Sequence, residues 1–205
     1  MRINYPNNYL NKLEKENKKD NTKLSYINSN KGMMLEKEIN LTNEYYRNND
    51  IALIYKKPTP IQVVKMSKDN KHITKAYFLS KSTTDYNGIY KGKYIDFEAK
   101  ECTSLTSFPL KNIKEYQLNH LKKVYLMGGI GFIIFYFKNL EKYYLLFIQD
   151  ILNFISNFKR ESIPIEYFIN KGFLINRGLN PILDYLKIIE EIYLKQKNFD
   201  LIDTF

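Results

Sequence analysis

The residues best placed to do chemistry lie in one short run, Tyr94-Ile95-Asp96-Phe97-Glu98-Ala99-Lys100. Side chains alternate along a strand, so Tyr94, Asp96, Glu98 and Lys100 share one face and Ile95, Phe97 and Ala99 the other. The apolar face can pack on a helix. The opposite face then lines up two carboxylates and an ammonium, with Glu98 and Lys100 about 7 Å apart along the strand. Three charges on one strand face are costly to bury and unremarkable in water. Phosphodiester hydrolysis gives them a use. Magnesium takes one or two carboxylates plus waters and phosphate oxygens, and it lowers the pKa of a bound water. A nearby lysine stabilises the anionic transition state. One Glu holds the ion weakly, so a second carboxylate must come from a neighbouring element. Asp85, ahead of Asn87-Gly88, and Asp96, on the same strand face, are both candidates, and the pattern does not choose between them. The spacing alone is unspecific: Glu16-Asn17-Lys18 repeats it within a polar arm with no alternating strand around it.

The elements that must hold these residues read as a mixture of strands and helices. A helix is expected over 32–47, with short extended runs at 51–57, 61–66 and 76–79 separated by Pro58, Pro60 and the turn Lys68-Asp69-Asn70-Lys71. These runs suggest a projecting hairpin. Asn87-Gly88 is a tight-turn signal and Lys91-Gly92 a second possible turn or bulge. A strand at 94–100, a helix at 112–127 ending on Gly128-Gly129, and strands at 131–137 and 143–148 follow. The run at 131–137 is apolar throughout, as in a strand buried on both faces. Asp150 is placed to cap a helix to Phe158, and Asn180-Pro181 to open a last helix to Lys195. The fold class is therefore α/β with a central mixed sheet.

The chain has 205 residues, enough for one domain with a sizeable core. Thirty-two Lys and Arg against twenty-two Asp and Glu leave a net charge of +10, which favours a polyanionic partner. No apolar run is long enough to span a membrane and the start lacks a secretory signal, so a cytoplasmic protein is expected. A single Cys102 with only His72 and His120 beside it offers no Cys/His zinc site. Any metal must then be a hard ion held by oxygen.

Longer blocks carry a resemblance. Lys56-Lys57-Pro58-Thr59-Pro60-Ile61-Gln62, Ser82-Thr83-Thr84-Asp85-Tyr86-Asn87-Gly88 and Tyr90-Lys91-Gly92-Lys93-Tyr94-Ile95-Asp96-Phe97-Glu98-Ala99-Lys100-Glu101 resemble the RecU family of Holliday junction resolvases. Gly32-Met33-Met34-Leu35-Glu36, Ser107-Phe108-Pro109-Leu110-Lys111-Asn112-Ile113 and Gly128-Gly129-Ile130 continue it in order, over roughly residues 30–190. The resemblance implies a restriction-endonuclease-like, PD-(D/E)xK core with a projecting hairpin stalk. It implies a homodimer that cuts four-way junctions symmetrically in recombination and repair, and it extends to a recombinase or branch-migration partner. It also implies that Thr83, Asp85, Glu98 and Gln117 surround Mg2+ and that Lys100 stabilises the transition state, which selects Asp85 over Asp96. Gln117 shares a helix face with Ile113, Leu121 and Val124, where a polar side chain needs a partner. Thr83, two residues before Asp85, points the same way if both lie in a strand. Glu36 is a further candidate, since a Glu on the first core helix of this fold often faces the site. Lys31 stands where the family often has Arg, and Lys114 and Tyr116 where it often has His, which bears on DNA contacts and leaves the metal residues intact.

The expected organisation is a flexible basic arm over 1–30 and a nuclease domain over 31–205, with the stalk at about 56–80. Lys31, Lys56, Lys57, Lys65, Lys71 and Lys75, interleaved with Tyr55 and Tyr77, are the candidate DNA-facing residues. A sequence-specific duplex nuclease and a non-catalytic junction-binding module are the first alternatives. A junction-versus-duplex substrate comparison and the Glu98→Ala variant separate them. A membrane-surface protein, marked by liposome binding that junction DNA does not relieve, is a third.

Overall fold

The computed structural model describes residues 33–79 and 83–194; the arm at 1–30 and Lys31 lie outside the described residues. Helix α1 (Met33–Asn48) buries Leu35, Ile39, Thr42, Asn43 and Tyr46, a stripe at helical spacing. Strand β1 (Leu53–Lys56) follows, then β2 (Ile61–Met66) and β3 (Ile73–Phe78), then β4 (Tyr86–Tyr90) and β5 (Lys93–Cys102). Beyond β6 (Ser107–Pro109) come α2 (Glu115–Leu126), β7 (Ile130–Phe137), β8 (Lys142–Phe147) and α3 (Ile148–Asn157). The described chain closes with β9 (Ser162–Pro164), α4 (Ile165–Lys171), β10 (Phe173–Ile175) and α5 (Tyr185–Ile188), which continues as a wider turn over Ile189–Leu194.

Six strands form one sheet in the order β1-β4-β5-β7-β8-β10. The pair β5–β7 is parallel and every other neighbour antiparallel, so the sheet is mixed. Strand β7 is buried at all eight positions: Ile130, Phe132, Ile134 and Tyr136 enter the core under α1 and α5, while Ile133, Phe135 and Phe137 enter the one under α2, α3 and α4. Helices thus cover both faces, the α/β class expected from the sequence. A row of rings crosses the sheet in register: Tyr86 stacks on Phe97 at 4.9 Å, Phe97 on Phe132 at 4.7 Å, and Phe147 meets Phe132 edge-on at 6.4 Å. Asp85 and Glu98 flank this row, one residue before Tyr86 and one after Phe97. The stack therefore fixes the strand registry behind them.

Strands β2 and β3 pair only with each other and are exposed at every position, closed at the base by Leu79 N–H donating to Pro60 O at 3.1 Å. Lys65 stands opposite Lys75 across this hairpin.

Three local expectations are corrected. Asn87-Gly88 is not a turn but lies inside β4, because Gly88 passes so close to β1 that a Cβ there would sit 2.0 Å from Leu53 O. The turn is at Lys91-Gly92, both at positive φ, joining Tyr90 to Lys93 as a two-residue hairpin loop. Asn180-Pro181 opens no helix. An Arg177–Leu183 bridge and Gly178 N–H donating to Ile182 O close that segment as a loop, and α5 begins at Tyr185. Asp150 sits in the first turn of α3 rather than at its cap, since the helix already begins at Ile148.

Candidate active site

The polar face of β5 is not solvated. Helix α2 lies over it, so Asp96 is fully buried and Glu98 only 2% exposed. The helix begins where Pro109 and a single tight turn at Leu110–Asn112 redirect the chain. Gln117 and His120, three residues apart on α2, both point down onto the strand.

Glu98 is the centre of the first cluster. Its Oε1 accepts from Lys100 Nζ at 2.7 Å and from Gln117 Nε2 at 2.6 Å. Its Oε2 is buried and, among the described residues, meets no hydrogen-bond donor, only the neighbouring Asp85 carboxylate. Asp85 reaches in from the residue preceding β4, where one more step of the β4–β5 register sets it opposite Glu98. Its Oδ2 accepts from Ala99 N–H at 3.0 Å. Burial, and next the Asp85 carboxylate, push the Glu98 carboxyl up to about 7, against the pull of Lys100. Two carboxylates and an ammonium thus lie together, with one oxygen left without a donor among the described residues.

That set fits a magnesium ion. All available donors are oxygen, and two carboxylates are what such a site uses beside water and phosphate. Among the described residues no group of three or more His, Cys, Asp or Glu is placed to hold a metal ion, so the ligand set here is this pair of carboxylates, to be completed by water and phosphate. The unpartnered Oε2 is the acceptor an ion would satisfy.

Of the other sequence candidates only Gln117 touches this cluster. Gln117 is buried as expected, but its carbonyl accepts from Lys114 N–H at 3.0 Å, capping α2, while its amide N–H faces Glu98. Thr83 precedes the strand rather than lying in it, and its hydroxyl accepts from Lys57 Nζ at 3.0 Å. Glu36 is paired with Lys56 at the surface. Lys65, Lys71 and Lys75 are exposed on the hairpin. Lys57 turns its ammonium inward, only 14% exposed, onto Asp96 at 2.6 Å.

Asp96, which the family resemblance passes over in favour of Asp85, forms a second cluster. Its Oδ2 lies 2.6 Å from Lys57 Nζ, 2.8 Å from Tyr94 OH and 2.9 Å from His120 Nε2, and its Oδ1 accepts from the Thr84 hydroxyl. One signal for it was available: His120 follows Gln117 by three residues, which puts both on one helix face.

The family model for Recombination protein U matches residues 30–191. The Holliday junction resolvase RecU of Pediococcus pentosaceus is 46% identical over 172 residues, covering 81% of this chain and 86% of its own length. That of Bacillus cereus is 42% identical over 200 residues, covering 94% and 99%. A solved structure, Archaeoglobus fulgidus Hjc, a Holliday junction resolvase from an archaeal hyperthermophile, aligns with a TM-score of 0.40 at 11% identity, covering 71% of this chain and 93% of its own. No described helix is long and apolar enough to cross a membrane.

Proposed function

The chain belongs to the RecU family, and from that premise we propose that it is a magnesium-dependent endonuclease that resolves four-way DNA junctions by paired cuts. The observation that carries the reading is the buried, unpartnered Oε2 of Glu98 beside the Asp85 carboxylate. A buried acceptor without a donor costs roughly 1–3 kcal/mol, and a bound cation relieves it.

Asp85 and Glu98 would hold the ion, which when bound polarises the phosphoryl oxygen and acidifies a water for attack. The chain's own residues set the stage. Ala99 N–H fixes the rotamer of Asp85, and the Gln117 amide fixes that of Glu98. Lys100, held 2.7 Å from Glu98, stabilises negative charge gathering on the phosphoryl oxygens. Gln117 contributes to the metal shell by orienting Glu98, and Thr83 by holding Lys57 beside the Asp85 segment.

The hairpin supports junction recognition. Lys65 and Lys75 stand opposite each other, a like-charge pairing that is unfavourable alone and relieved by phosphate. Lys71 and Lys56 are assigned to the same DNA-facing set, with Lys31, outside the described residues, a further candidate, and Tyr77, 58% exposed, is available to stack on bases. Paired cuts on a near-two-fold junction call for two related sites, hence a homodimer built on the family's restriction-endonuclease-like core.

The test is cleavage of a labelled mobile four-way junction in magnesium by the parent chain and by Glu98→Ala. The parent should nick opposing strands near the branch point, and the variant should bind the junction and fail to cut it. A variant that cuts at the parent's rate contradicts the enzymatic assignment. A parent that binds but never cuts makes the chain a junction-binding module.

A further inference from the structure

Two stretches of chain root the hairpin in the body: the end of β1, running through Lys57 to Pro58, and the residues just ahead of β4, Thr84 and Asp85. Both converge on Asp96. Lys57 Nζ donates to Thr83 Oγ1 at 3.0 Å, Thr84 Oγ1 at 2.6 Å and Asp96 Oδ2 at 2.6 Å. An ammonium has three N–H donors, so all of its donors are committed inside the protein. The Lys57 backbone N–H also donates to the carbonyl of Asp85 at 2.8 Å. Its neighbour Lys56 differs: its side chain is 46% exposed, and it pairs with Glu36, itself 39% exposed.

Resting on the reading of Asp85 and Glu98 as the metal carboxylates, we infer that Lys57 and Asp96 form an internal latch. It positions those carboxylates from the base of the hairpin, and Lys57 is a positioning residue for cleavage rather than a phosphate contact. Asp96 stands two residues from Glu98 on β5. Through His120 it also grips α2, the helix that carries Gln117. Lys57 joins that point to the backbone of Asp85. Removing the ammonium leaves a buried carboxylate facing only neutral donors and His120, and the segment that carries Asp85 is then tied to β5 only through Ala99 N–H and the Thr84 hydroxyl. Displacements of about 1 Å in such a site slow a reaction on the order of a hundredfold.

The experiment compares the full-length parent, Lys57→Met and Thr84→Val on one four-way junction. Affinity is measured in EDTA over a series of salt concentrations. Single-turnover cleavage is measured in magnesium with enzyme saturating. A latch predicts that Lys57→Met keeps the parent's affinity and salt slope within about twofold, yet cuts ten- to a hundredfold slower even at saturation. Its half-saturating magnesium concentration rises. Thr84→Val, which removes the hydroxyl bridging Lys57 and Asp96, shifts rate and magnesium dependence in the same direction by less, and decides the matter if thermal melts show Lys57→Met unfolded. Overturning the inference alone is a cutting parent whose Lys57→Met variant loses affinity, loses about one unit of salt slope and regains the parent's rate at saturation. With Lys57→Met unfolded, a Thr84→Val variant matching the parent in rate and magnesium dependence overturns it equally. A parent that does not cut removes the underlying reading too.

Discussion

Two carboxylates two residues apart on one strand, Asp96 and Glu98, are both buried under the same helix and meet opposite fates. Asp96 is surrounded by donors: a lysine, a histidine, a tyrosine and a threonine all turn toward it. Glu98 has donors on one oxygen only, faces a second carboxylate, and is pushed up to about 7. The difference separates structure from chemistry. A buried charge whose hydrogen-bonding capacity is filled locks the fold together, whereas one left short and crowded by like charge is the kind that, on the function proposed above, a cation would complete.

The sharpest way to break this contrast is to neutralise each carboxylate in turn in the metal-free protein. Asp96→Asn removes the negative charge facing buried Lys57. It should destabilise the chain by about 3 kcal/mol, lowering the melting temperature on the order of 10 °C. Glu98→Gln should do the reverse. Because its folded pKa is raised from 4.5 to about 7, the parent's Glu98 favours folding only while protonated; that stability is present below about pH 4.5 and lost as pH rises through about 7. The variant should therefore melt a few degrees above the parent at pH 8, a gain of about 1–2 kcal/mol. The gain should vanish near pH 4.5, and magnesium should erase it by stabilising the parent alone. Equal and opposite shifts to these would reverse the roles of the two residues. A smaller effect extends the contrast to the hairpin. Lys65→Ala, at a lysine with no ion pair among the described residues, should weaken junction binding and lower the salt slope by about 0.9, with the saturated cleavage rate unchanged. An unchanged slope would remove Lys65 from the DNA surface.

Much of this arrangement was legible in the residues themselves. Alternation over Tyr94–Lys100 put Glu98 and Lys100 on one face, helical spacing put Gln117 inward, and the apolar run at 131–137 marked the strand buried on both sides. What was not legible depended on partners remote in sequence. Asn87-Gly88 has the local chemistry of a turn, and only the approach of β1 shows that Gly88 is a glycine for crowding rather than for bending. The choice between Asp85 and Asp96 needed the resemblance to the family, because alternation favours neither. Lys57 reads as one basic residue among many; its burial follows from Asp96, 39 positions away. The start of α5 was missed because a loop closed by Arg177 and Leu183 outweighs the helix-opening signal of a proline.

The most direct measurement is manganese binding, followed by electron paramagnetic resonance, in the parent, Asp85→Asn, Glu98→Gln and Asp96→Asn, without DNA. Bound ion in the parent, bound more weakly but still present in Asp96→Asn, and none in Asp85→Asn or Glu98→Gln, with parental binding weakening as pH falls below about 7, is the expected pattern. Binding that survives in Glu98→Gln and disappears in Asp96→Asn would contradict it, and would move the metal to the neighbouring carboxylate.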